Sequence, residues 1–209
     1  MAEKRLKCLE RRLDKSPVLY DAVRCLIENY LVKGYAHKVT VFEMSTFDEK
    51  RVWFLPLGVV LNPKKPTKVR VVWDAAAKMD GICLNSQLLK GPDLLTSLAS
   101  VLFRYRQRAV AISGDIQEMF HQIRIRKSDR SAQLFLWRNN SKSPIEIYSM
   151  DVATFGSTCS PCSTQHIKHL NADEYEETYP RAAASIKLNH YVDDCLDSID
   201  TEYEAIHWP

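Results

Sequence analysis

No stretch of the sequence approaches the roughly 18 consecutive apolar residues of a membrane-spanning helix, and Met1-Ala2-Glu3-Lys4-Arg5 leads into a charged helical pattern with no signal-peptide core. A cytoplasmic or nuclear protein without a membrane partner is therefore expected. Glycine is scarce, at 6 of 209 residues, and no internal repeat or low-complexity segment is present, which excludes collagen-like repeats. With 45% hydrophobic and 26% charged residues, disorder is excluded as well. The six cysteines (Cys8, Cys25, Cys83, Cys159, Cys162 and Cys195) are scattered through a chain able to build an ordinary core, so they read as reduced thiols. Net charge is nearly absent too: +3, by itself no sign of a nucleic-acid partner.

The distribution of charge says more. Residues 1–110 carry 20 basic and 11 acidic side chains, whereas residues 111–209 carry 9 and 15. One part is built to meet an anion and the other gathers carboxylates, as around a metal.

Periodicity predicts helices over 3–13 and 17–33, the second with Ser16 as N-cap and Pro17 in its first turn. Residues 41–50 read as a polar loop. Two strands, Val52–Leu61 and Lys68–Trp73, flank a proline-bearing tip at 62–67, whose Lys64 and Lys65 join Lys68 and Arg70 in a cationic cluster. Residues 93–106 read as an amphipathic helix with Leu94, Leu95, Leu98, Leu102 and Tyr105 on one side. A buried strand over 109–114 ends at Asp115, and further strands cover 132–137 and 145–150. Residues 158–178 read as mainly helical, 185–190 and 195–199 as strands around a tight turn at 191–194, and 201–207 as the start of a helix.

Asp193 and Asp194 are adjacent at a hairpin apex, with no cation beside them in the sequence to offset their repulsion. Asp115 closes another apolar strand. If the two strands are neighbours in one sheet, three carboxylates converge at its edge. Hard oxygen donors without matched thiolate or imidazole favour Mg²⁺, and two such ions roughly 3.5–4 Å apart serve in-line displacement at phosphorus.

Tyr191-Val192-Asp193-Asp194 resembles the central signature of reverse transcriptases, and Gly114-Asp115-Ile116 with Phe120-His121-Gln122-Ile123 is similar to the first palm motif. Phe155-Gly156 with Ser160-Pro161 resembles the intervening motif. The segments from Lys68 to Lys78, Leu84 to Leu94 and Phe103 to Gln107 resemble the fingers of the Pao/BEL long-terminal-repeat retrotransposons, so the likeness covers nearly the whole chain.

The resemblance implies a mixed α/β (α+β) right-hand polymerase: a helical lead-in (1–40), fingers (41–108) and a palm (109–209) whose mainly antiparallel sheet carries helices on one face. It implies RNA-directed DNA polymerisation from deoxynucleoside triphosphates on an RNA or DNA template-primer, with two Mg²⁺ ions for which Mn²⁺ can substitute. Asp115, Asp193 and Asp194 would hold the metals, with help from the Ile116 carbonyl. Arg70, and Lys64 or Lys65, would contact the triphosphate. Phe120 would be the wall that excludes ribonucleotides, and Phe155 and Gly156 would line the nucleotide site.

Departures accompany the likeness. Phe155 stands where retroviral enzymes carry glutamine, and Ala76 where an arginine is expected. The 209 residues are expected to stop before the thumb, so that the thumb, RNase H and integrase of a pol polyprotein would be partners, and a virus-like particle would be the setting of an active element. An inactive or domesticated remnant that only binds nucleic acid is the alternative; a metal nuclease would have no use for the aromatic wall or the basic hairpin. Cys159, Cys162, His166 and His169 also offer four zinc-type ligands, although only three residues separate the two pairs, against about twelve in a zinc finger. A small-residue turn followed by a helix under the site is the preferred reading there.

Overall fold

The computed structural model describes residues 1–62 and 65–207, with side chains outside 62–68. In chain order the elements are α1 (Ala2–Leu13), α2 (Pro17–Val32), β1 (Ala36–Lys38), α3 (Val41–Thr46), β2 (Leu57–Asn62), β3 (Lys65–Trp73), α4 (Leu84–Gln87), α5 (Leu98–Tyr105), β4 (Val110–Asp115), β5 (Leu134–Trp137), β6 (Glu146–Met150), α6 (Ser160–Glu174), α7 (Pro180–Leu188), β7 (His190–Tyr191), β8 (Asp194–Ile199) and α8 (Glu202–Ile206). They form two compact units, Met1–Leu89 with Phe120–Thr158, and Lys90–Met119 with Cys159–Pro209.

In the first unit, α1 buries Leu6, Leu9 and Leu13 along one stripe. Ser16 caps α2 by accepting a hydrogen bond from the Leu19 N–H, and Pro17 occupies the first turn, where its missing donor costs nothing. The helices lie over an antiparallel sheet of order β1-β6-β5 and the β2–β3 hairpin, in which Leu57 faces Trp73 and Val59 faces Val71. These inward residues join Val23, Ile27, Leu55, Phe135, Trp137, Tyr148 and Met150 in one core. Glu10 of α1 receives Arg138 through two hydrogen bonds, of 2.6 and 2.8 Å, a bidentate pair that pins the helix to the end of β5.

The second unit is built on an antiparallel sheet of order β4-β8-β7, packed by α5, α7 and α8 with Val101, Ala183 and Ile199 buried. All the sheets are antiparallel, as the sequence reading expects of the fold class.

Several elements differ from expectation for identifiable reasons. The strand expected over 185–190 is instead the end of α7: Pro180 starts the helix and the Ala182-Ala183-Ala184 run carries it on, so only His190 and Tyr191 pair as β7. The loop expected over 41–50 contains α3, capped by Thr40 through the Glu43 N–H, and a 3-10 turn over Glu49–Arg51 capped by Asp48. The strand expected from Val52 begins only at Leu57, because Pro56 brings no N–H to a ladder. Helix α5 starts at Leu98: the Asp93 carboxylate accepts the Leu95 N–H, a local turn that competes with helix. Its buried residue is Val101, while Leu98 and Leu102 are exposed. Strand β4 is one-sided, with Val110 and Ile112 half-buried and Ala111 and Ser113 exposed.

Candidate active site

In the second unit β4 and β8 pair so that Asp115 lies directly opposite Asp194. Tyr191 pairs with Asp194, which leaves Val192 and Asp193 as a two-residue hairpin turn. The Ile116 N–H donates to the Asp193 carbonyl at 3.0 Å, so β4 also secures the turn itself. Carboxylate oxygens of Asp115, Asp193 and Asp194 thereby lie within 4.8 Å of one another, Asp193 half-buried and the other two exposed. Among the described residues none of the three forms an ion pair with lysine or arginine. Three like charges so close are costly unless a cation joins them, and an all-oxygen donor set suits a hard divalent ion such as Mg²⁺.

The turn is strained. Val192 has φ 59°, while Asp193 does not share the left-handed region. That is the pattern of a type II′ hairpin, whose first position ordinarily asks for glycine. A β-branched residue there costs about 1–3 kcal/mol and persists only where the surroundings enforce it. The Val192 carbonyl accepts from the buried Gln165 amide at 3.3 Å and from the Lys168 ammonium at 3.4 Å, both on α6. Burial lowers Lys168 to about 8, against the pull of the Cys195 and Asp193 charges. Neither residue is expected from the sequence, where this helix reads only as packing; the available signal is a pair of long polar side chains at i, i+3.

His190, which opens β7, is 7% exposed, and burial pushes its imidazole down to about 4. The folded state therefore holds it neutral, whereas the unfolded chain binds a proton near pH 6.5. Its contribution is fully present above about pH 6.5 and drains away as pH falls toward 4, by on the order of 2 kcal/mol in total. Urea unfolding between pH 7.5 and 4.5 should show that slope, and His190→Asn should flatten it relative to the unaltered chain.

The remaining candidates belong to the first unit. Arg70 pairs with Val60 on the outer face of the β2–β3 hairpin and is exposed. Lys64 and the side chain of Lys65 lie outside the described residues. Phe120 sits in a 3-10 turn (Met119–Gln122) and meets Phe155 edge-on, with ring centroids 4.7 Å apart. Phe155 in turn packs against the buried His121, at 5.6 Å. Gly156 has φ 101°, and a Cβ there would come within 2.8 Å of the Trp73 carbonyl oxygen, so both backbone angle and space demand glycine. Asn85 secures this turn from both sides, donating to the Gly156 carbonyl at 2.9 Å and accepting from the Thr158 N–H at 2.8 Å.

The Cys159, Cys162, His166 and His169 set does not converge: among the described residues only the three aspartates form a metal-ligand group. Cys162 is occupied by packing, since a Cβ on Gly91 would fall 2.5 Å from its sulfur.

The chain was compared with known proteins. A search of curated proteins by sequence finds no match. Among solved structures it resembles the foamy viral protease-reverse transcriptase in a complex with double-stranded DNA (17% identity, TM-score 0.61, covering 90% of this chain and 27% of that one). A second foamy viral complex with double-stranded DNA matches at 16% identity and TM-score 0.59, over 90% of this chain and 32% of that one. A third, with an RNA/DNA hybrid, matches at 16% and TM-score 0.63, over 90% and 21%. The chain thus spans a third or less of the length of those structures, and at such identity the likeness establishes the fold, that of reverse transcriptase fingers and palm. The sequence profile described as "Reverse transcriptase (RNA-dependent DNA polymerase)" matches residues 62–208, well over half of the chain, and the chain therefore belongs to the reverse transcriptase family.

Proposed function

We propose that the chain is the fingers and palm part of an RNA-directed DNA polymerase that extends a primer 3′ end with deoxynucleotides on an RNA or DNA template. The observation that carries this reading is the convergence of Asp115, Asp193 and Asp194 within 4.8 Å, on paired strands of a chain in the reverse transcriptase family. The three carboxylates, with the Ile116 carbonyl, would hold two Mg²⁺ ions, or Mn²⁺ in their place. Bound there, the ions would supply the Lewis acidity and charge stabilisation that displacement at phosphorus requires. The exposed Arg70 guanidinium would receive the triphosphate, joined by Lys64 or Lys65. Phe120, braced edge-on by Phe155, would present a rigid wall to the sugar, and the Gly156 turn would let backbone approach the nucleotide.

The same reading takes residues 1–40 as a helical lead-in, 41–108 as fingers and 109–209 as palm, a functional division that cuts across the two compact units. The likeness of the segments Lys68 to Lys78, Leu84 to Leu94 and Phe103 to Gln107 supports a Pao/BEL retrotransposon as the source, with a thumb, RNase H and integrase supplied by the rest of a pol polyprotein. On that reading the chain works in the cytoplasm or nucleus, or in a virus-like particle.

Primer extension on poly(rA)/oligo(dT) with Mg²⁺ or Mn²⁺ tests it. Extension supports the polymerase; salt-sensitive binding of template-primer with no extension leaves the nucleic-acid-binding remnant. A sharper test concerns the wall. Phe120→Val should raise incorporation of ribonucleotides relative to deoxynucleotides by about tenfold or more, because one removed steric clash is worth 1–3 kcal/mol in discrimination. Unchanged sugar selectivity would remove Phe120 from that role.

A further inference from the structure

We propose that Lys168 is a positioning residue for the catalytic turn: its ammonium, beside the Gln165 amide, holds the Val192 carbonyl and thereby fixes the orientation of the Asp193 carboxylate. The inference rests on the polymerase reading above and adds to it a residue outside its motifs.

Three observations carry it. Val192 is held at φ 59°, a conformation that its own side chain opposes, so some external contact must enforce it. The turn has only two residues, and its far side is already fixed by the Ile116 N–H on the Asp193 carbonyl. The near side is gripped solely, among the described residues, by the two α6 side chains at 3.3 and 3.4 Å. Lys168 is also half-buried without a carboxylate ion-pair partner among the described residues. Withdrawing an ammonium from water for a single backbone carbonyl is unfavourable for folding alone, and the return is at the turn.

The alternative, that Lys168 is only a nearby cation, makes an opposite forecast. Removing a positive charge beside three carboxylates should strengthen divalent-ion binding, whereas loosening the turn should weaken it. The experiment is Mn²⁺ binding by electron paramagnetic resonance on the whole chain, with thermal unfolding recorded for every variant. Lys168→Met, which keeps length but loses donor and charge, should weaken Mn²⁺ binding about threefold to tenfold, the range of one lost hydrogen bond. It should also raise the Mg²⁺ concentration needed for half-maximal primer extension. Lys168→Arg should stay within about twofold of the unaltered chain, since it keeps both cation and donor. If Lys168→Met does not fold, Lys168→Leu is read in the same way. Unchanged or tighter Mn²⁺ binding in the neutral variant overturns the proposal while leaving the polymerase reading standing. Retained Mn²⁺ binding in Asp193→Asn overturns both.

Discussion

An Asp193→Asn, Asp194→Asn chain should lose primer extension by on the order of 10³-fold or more, the scale on which removing preorganised charge stabilisation slows group transfer. Asparagine preserves the shape of each side chain and the hairpin around it, so the Tyr191 to Asp194 pairing and the Ile116 hydrogen bond to the residue 193 carbonyl should survive. What disappears is charge. The three carboxylates crowd within 4.8 Å and, among the described residues, no lysine or arginine pairs with them. In metal-free buffer the substitution should therefore leave the unfolding temperature unchanged or raise it by a few degrees, as one expects when like charges are relieved. Opposite signs for activity and stability are the diagnostic: purely structural aspartates would lose stability and show no specific effect on extension. Extension by the double variant at more than a tenth of the original rate would refute the assignment.

The largest effect on folding is expected at Trp73. Its ring is fully buried, 5.5 Å from Tyr30, and meets Phe135 and His121 edge-on at 6.0 and 6.3 Å. Its backbone closes the β2–β3 ladder opposite Leu57. Trp73→Ala should destabilise the first unit by about 3–5 kcal/mol, combining lost transfer energy with a cavity that Tyr30, His121 and Phe135 cannot fill without giving up their packed positions. Trp73→Phe should cost about half of that. Val41→Ala, at a residue 90% exposed on α3, should change stability by less than about 0.5 kcal/mol. Urea unfolding followed by far-ultraviolet circular dichroism compares the three; a loss below about 1 kcal/mol for Trp73→Ala would show that this ring does not hold the core.

How far the sequence discloses the molecule depends on which physical rule governs each part. Helices α1 and α2 are legible because their leucines and valines recur at helical spacing and Ser16-Pro17 marks a start. The convergence of Asp115 with Asp193 and Asp194 is legible too, because paired carboxylates at strand ends have few uses. Helix α7 is not: Ile186 and Leu188 before the turn look β-prone, and the helix is decided by Pro180 and the alanines upstream. The exposed face of β4 is equally hidden, since an apolar run does not say how many of its sides are covered. Gln165 and Lys168 escape notice because their partner is a backbone carbonyl: their i, i+3 spacing shows a shared helix face but not what that face grips. Gly156 is visible as a turn residue, but the reason no other residue fits, the Trp73 carbonyl, belongs to a segment more than eighty positions away.

The Asn85 contacts with Gly156 and Thr158 have a consequence for recombination. Two stretches far apart in the gene are joined there by one amide that serves as donor to one strand of the turn and acceptor to the other. Because both bonds reach backbone atoms, a crossover between residues 90 and 150 keeps them whatever side chain the second parent carries at 158, provided the parent that supplies the earlier block carries Asn85. Chimeras that take residue 85 from a parent without an amide there should lose both bonds at once and be less stable by about 1–3 kcal/mol.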